Sequence, residues 1–224
     1  MPDLFSHAGR DASLPVHFAR AARFALAGLI LPPALLGAAS MMGHPTRSGV
    51  EALTWVVALG GFAATGWMAG GRLPARRGLA LQTAAAFAAG GAIVTPTFHA
   101  LQGLSGREPA LSIVGAAIGG FALGFGLAGA ATAAIAGNRG ASLRSAARAS
   151  AFAGSLGGLL ALLPYGWLRL GLTGPLAGYG QMGVAVIAFL GCIIVPCRMV
   201  GSLFQREAIA RESAYARRTA RCGP

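Results

Sequence analysis

His44 and His99 each fall at the same end of a long apolar stretch of this 224-residue chain. Imidazoles at equal depth on two helices are the arrangement that holds a haem iron between them. His44, however, stands in GHPTRSG, whose glycines, proline and serine read as a loop, so no cofactor and no metal is expected. His99 follows Thr95, Pro96 and Thr97 in IVTPTFHALQG (93–103). A proline inside a helix removes a backbone donor and frees a carbonyl. In lipid that carbonyl needs a partner. The threonine hydroxyls can supply one, or the break can open a cavity for a solute. Pro32 and Pro33, adjacent in the middle of another apolar stretch, form a second candidate break. Arg169 adjoins a long apolar run and either snorkels to the headgroups or meets an anion or a partner.

The rest of the chemical inventory is thin. Intramembrane acids mark proton and cation coupling, and here Glu51 and Glu108 only flank apolar runs. There is no lysine, which excludes Schiff-base chemistry and a P-loop lysine. GLSG (103–106) matches the G-x-S-G motif of rhomboid proteases, whose serine needs a histidine from a later helix as base. No histidine follows His99, so a Ser-His protease is rejected. Cys192, Cys197 and Cys222 form neither a C-x-x-C pair nor a disulfide framework. The chain is read as not an enzyme.

The elements that must position these residues are membrane helices. Hydrophobic residues make up 55% of the chain and charged ones 11%, under half the globular average of about 25%. Apolar stretches of about 18 residues or more read as transmembrane helices, and six stand out: 23–42, 52–70, 79–101, 110–136, 149–168 and 180–201. The fold class is therefore all-α, a polytopic bundle with six transmembrane helices. Fifteen of the eighteen arginines fall before the first stretch, between the second and third, between the fourth and fifth, and at or after the end of the sixth. Only Arg47, Arg107 and Arg169 fall on the other side. The positive-inside rule then puts both termini in the cytoplasm. Residues 1–22 read as a basic amphipathic segment on the inner surface, 23–201 as the membrane domain and 202–224 as a basic helical tail. The basic excess is assigned to anionic headgroups on the cytoplasmic side rather than to nucleic acid. Abundant Ala, Gly and Arg without lysine suggests a GC-rich bacterial genome, hence a bacterial inner membrane. Trp55, Tyr165, Trp167 and Tyr179 fall near the outer boundary and Trp67 near the inner, as in aromatic belts.

Three segments of the chain look alike, each a basic lead followed by Phe-Ala at the start of an apolar run, with Phe24, Phe87 and Phe152 at spacings of 63 and 65. They predict three two-helix repeats, the first helix of each proline-broken and the second rich in glycine. GAAIGGFALGFGLAGAATAAIAG (115–137) holds seven glycines and one polar side chain, Thr132. Gly115 and Gly119 share one helix face, and Gly120 and Gly124 the next. Small residues on a face let backbones approach closely in lipid. The stretch is read as packing against neighbours on both sides at the centre of the bundle, and Gly157 and Gly158 repeat the theme. On this reading the chain works by contact, as an accessory or assembly subunit meeting other membrane subunits or itself. The second reading is a small transporter or channel lined by Thr95, Thr97, Gln82 and Gln181.

Overall fold

The computed structural model describes Ala22, Ala25, Leu26, and residues 47–70, 79–103, 111–171 and 174–221. Six helices cover the longer segments: α1 (Arg47–Gly70), α2 (Leu79–Gly103), α3 (Leu111–Ile135), α4 (Gly140–Ala161), α5 (Leu163–Arg169) and α6 (Pro175–Arg221). No strand occurs among the described residues. Four stretches are long and apolar enough to cross a membrane: Ala80–Leu101, Val114–Ile135, Gly140–Trp167 across α4 and α5, and Ala177–Leu203 in α6. α1 carries a shorter apolar run, Trp55–Trp67. Of the first predicted span only Ala25 and Leu26 are described; both are helical and buried in the common core.

Side chains are sorted by size. The interior is largely alanine, glycine and threonine around a few rings: Phe62, Phe87, Phe121 and Phe125. Large apolar residues face outward, among them Val56, Leu123, Phe152, Met182 and Ile187. In water so apolar an exterior would promote association. Against acyl chains it costs nothing, and the gain from packing goes to small residues that let helices approach.

Each long helix packs mainly on its neighbours in the chain, in the spatial order α1, α2, α3, α4, α6, with α5 resting on α6. Phe98 of α2 meets Phe189 of α6 edge-on, ring centroids 5.4 Å apart, so the row curls at that end. The turn between α3 and α4 is four residues long because α3 ends in a Schellman cap. Asn138 N–H donates to the Ala133 carbonyl and Gly137 N–H to that of Ala134, both at 2.9 Å. Gly137 sits at φ +87°, a left-handed conformation that suits glycine.

Of the proline breaks expected in the third and fifth spans, one is absent and one is present. The break expected at Pro96 is absent: α2 runs through it. The proline ring is turned outward, and Thr97 Oγ1 donates to the Ile93 carbonyl at 2.8 Å, steadying the turn. The fifth span is interrupted as expected, at Leu162, where α4 stops and α5 restarts with Pro164 in its first turn, the helical position that tolerates proline. α6 instead runs 47 residues through a buried Pro196, about 70 Å at 1.5 Å per residue. Its last 18 residues extend beyond the apolar span.

Phe87 and Phe152, equivalent in the proposed repeat, sit in opposite environments: Phe87 is 1% exposed and Phe152 61%. Phe24 lies outside the described residues. Two of the five belt aromatics also turn inward. Tyr165 is buried, and Trp167 donates through Nε1 to the Ala177 carbonyl at 3.3 Å while its ring covers Gly180.

Candidate functional site: the glycine seams

Every pair of long helices adjacent in the row meets at a glycine. Between α1 and α2, Gly66 lies against the backbone of Thr83 and Ala84, and Gly91 against the Phe62 ring. Thr83 Oγ1 lies 2.8 Å from the Gly66 carbonyl across the seam and 3.0 Å from the Ala80 carbonyl of its own helix. Removing that hydroxyl in Thr83→Val is expected to cost about 0.6 kcal/mol, the average for interhelical hydrogen bonds in lipid, and at most about 1.7 kcal/mol, read by unfolding in detergent micelles.

Between α2 and α3 the contact is reciprocal. A Cβ built on Gly90 would stand 2.5 Å from the Gly124 carbonyl oxygen, and one on Gly124 2.8 Å from that of Gly90. The two backbones approach closely here, leaving no room for a side chain on either helix. One turn along, Gly120 leaves room for the Thr97 side chain. α3 meets α4 through an adjacent face: Gly154 rests on the Phe121 carbonyl and Gly158 on the backbone of Ala117 and Ile118. Gly126 and Gly129 accept Ala151 and Ser150 of α4. Between α4 and α6, Gly157 faces the Cys192 carbonyl and the Pro196 ring. That pairing has a cause. Proline at 196 has no N–H for the carbonyl four residues earlier, which is Cys192. The freed carbonyl points at the one kind of residue with no side chain to obstruct it.

Four of the six glycines singled out from sequence thus stand at crossings: Gly120 and Gly124 against α2, Gly158 against α3 and Gly157 against α6. Gly115 and Gly119 stand at none among the described residues, since a Cβ on either meets nothing within 4 Å. Their face is turned away from both neighbours, because a step of one residue rotates the helix surface by about 100°. Gly90, Gly91 and Pro196 carry seams that the sequence reading passed over. The signal was the doublet: Gly90–Gly91 and Gly157–Gly158 each put two glycines on adjacent faces, and each doublet serves two different neighbours.

The polar candidates are not assembled into a site. Thr132, alone in its apolar stretch, is buried and donates to its own helix at Ala128, 2.7 Å away. Gln82 and Gln181 are exposed on the outside of the bundle and line no interior space. His99 is half-buried near the end of α2. Arg169 closes α5; its side chain, Pro32, Pro33 and His44 lie outside the described residues. Thr95 Oγ1, Ser150 Oγ and Tyr165 Oη are buried without a hydrogen-bond partner among the described residues, on three different helices. The gap where α1, α2 and α3 meet is lined by apolar groups including Phe62, Phe87, Val94 and Phe125 and has no room for a water molecule. No three or more His, Cys, Asp or Glu side chains cluster among the described residues.

Fold and seams together define a multi-pass α-helical membrane protein whose helices are joined backbone to backbone. No protein-family model matches the chain, and comparisons with curated proteins and with solved structures found no match either.

Proposed function

We propose that this protein is a non-catalytic membrane subunit that acts by helix packing, as an accessory or assembly subunit of a larger complex in a bacterial inner membrane. The observation that carries the reading is the use of the interior: the described seams are filled by bare backbone and small residues, leaving no polar pathway lined by the candidate side chains. Six spans are proposed, the first at 23–42 and the second in α1, with both termini cytoplasmic and anionic headgroups on that side. Its partners are other membrane subunits or a second copy, not nucleic acid.

The direct test is mild extraction from the native membrane, followed by the mass and composition of the particle. Stoichiometric foreign subunits are expected; a lone chain would overturn the reading. The Gly115–Gly119 face, unoccupied among the described residues, gives a sharper form. Gly119→Leu is expected to leave the isolated chain folded and to abolish the assembled particle.

Orientation is tested separately. Cys192 and Cys197 are fully buried, so a membrane-impermeant maleimide is expected to label one thiol per chain, Cys222. Labelling should occur in inside-out vesicles and not in right-side-out ones. The reverse would put the tail outside.

A second reading, a small transporter or channel for a neutral or anionic solute, is favoured by one observation: the unpartnered Thr95 hydroxyl inside the bundle beside Pro96. Thr95→Val should then change flux in reconstituted vesicles while leaving the fold intact.

A further inference from the structure

The first half of α4 presents Ala141, Arg144, Ser145, Arg148, Ala149 and Phe152 on one face, lining a groove of about 500 Å³ on the outside of the bundle. Arg144, Ser145 and Arg148 are exposed. The depth of these residues follows from helix length. The apolar stretch Gly140–Trp167 has 28 residues, about 42 Å of helix, against a hydrocarbon core of about 30 Å. With Trp167 at one boundary, the other falls near Arg148. Arg144 then lies about one turn, roughly 5 Å, farther out among the headgroups, and Phe152 about one turn inside the hydrocarbon.

Among the described residues nothing neutralises this charge. The sequence holds no acidic residue between Glu108 and Glu207, and no carboxylate pairs with Arg144 or Arg148 among the described residues. The start of α4 adds to the positive potential, since Arg139 caps it without a side-chain hydrogen bond and the first N–H groups of a helix carry partial positive charge.

We infer that this face of α4 binds an anionic phospholipid, its phosphate held by Arg144 and Arg148 with Ser145 donating, and its acyl chain lying along Phe152. A soluble anion would use the arginines alone. The groove continues from a charged rim to an exposed ring at hydrocarbon depth, which suits an amphiphile. A zwitterionic headgroup would bring an ammonium group toward two uncompensated guanidinium ions. The inference needs α4 to lie in a membrane and nothing more. It holds for either orientation of the chain, and whether the protein is a subunit or a transporter.

The test uses the full chain in phosphatidylcholine vesicles doped with a small fraction of photoreactive phosphatidylglycerol, and in parallel with phosphatidylcholine carrying the same photoreactive chain. Adducts are mapped by peptide mass. Phosphatidylglycerol adducts are expected to concentrate on peptides covering 141–152 and to exceed the phosphatidylcholine adducts there roughly thirtyfold, from about 1 kcal/mol for each near-surface arginine. The double substitution Arg144→Gln/Arg148→Gln should abolish that preference, while Arg217→Gln/Arg218→Gln in the tail should not. Equal labelling by the two lipids, or adducts spread evenly over all exposed helix faces, would overturn the inference. So would displacement of the adducts by excess inorganic phosphate, which would show that the anion alone is recognised. The comparison of two lipids on the unaltered chain decides the matter even if the double variant does not fold.

Discussion

Leucine in place of Gly124 is expected to lower the stability of the bundle by about 3 kcal/mol, the upper end of ordinary overpacking. The first atom added there, a Cβ, would already stand 2.6 Å from Val94 Cγ2 and 2.8 Å from the Gly90 carbonyl oxygen. Val94 is 1% exposed, the gap it lines has no room for a water molecule, and the carbonyl belongs to a helix backbone. Accommodating leucine therefore means separating α2 from α3 along their reciprocal contact. Glycine to leucine also gains helix propensity, at most about 1 kcal/mol, so the clash wins. Gly119→Leu, five residues away, has the same propensity gain, and a Cβ there meets nothing within 4 Å among the described residues. It is expected to be neutral or slightly stabilising in the isolated chain. Unfolding of the two variants side by side in detergent micelles checks the pair. Equal loss at both sites would mean that propensity or insertion dominates, and that the seam geometry does not govern stability.

The second large effect is at the α4–α6 seam. Gly157→Leu is expected to cost about 3 kcal/mol for the same reason, since a Cβ there would meet the Cys192 carbonyl at 2.5 Å and Pro196 Cγ at 2.7 Å. This site adds a coupling that Gly124 lacks. Pro196→Ala removes the ring and restores an N–H able to bond the Cys192 carbonyl, so it relieves one of the two clashes and draws the other partner back into its own helix. The double variant should therefore be less damaged than the sum of the single ones, by about 0.5–3 kcal/mol, the range of coupling for residues in contact. Strict additivity would show that Gly157 and Pro196 are not a matched pair.

These two sites show why the interior is assigned to glycine and alanine rather than to large residues. In water a core gains by burying bulk. In lipid the outside is as apolar as the inside, so bulk gains little by turning inward, and close backbone approach becomes the main attraction. Phe152 outside and Gly154 inside, two positions apart on α4, follow from that exchange.

Much of this was legible in the sequence. Apolar run lengths alone identify membrane helices, because helix rise and bilayer thickness are both constants. α2 and α3 fall near their predicted limits, whereas α4 begins at Gly140, nine residues before the predicted 149, and the continuation of α6 into a basic tail follows from its helical composition. That glycines mediate packing was legible as well, since few other uses explain seven of them in a 23-residue apolar stretch. Which glycines do so was not. Gly119 and Gly120 are chemically identical neighbours, and only the placement of α2 beside α3 gives one of them a contact. Nor could proline content reveal where helices break. Pro96 turns outward and is carried through α2, Pro164 starts a helix after the interruption at Leu162, and Pro196 is absorbed because Gly157 stands opposite its freed carbonyl. The same limit governs Phe87 and Phe152: similar local sequence sets which residue occurs, while the side on which a neighbouring helix lies sets whether it is buried. Local sequence determines the helix; what each face of it meets is decided by a chain segment tens of residues away, through contacts that exist only once both helices are in place.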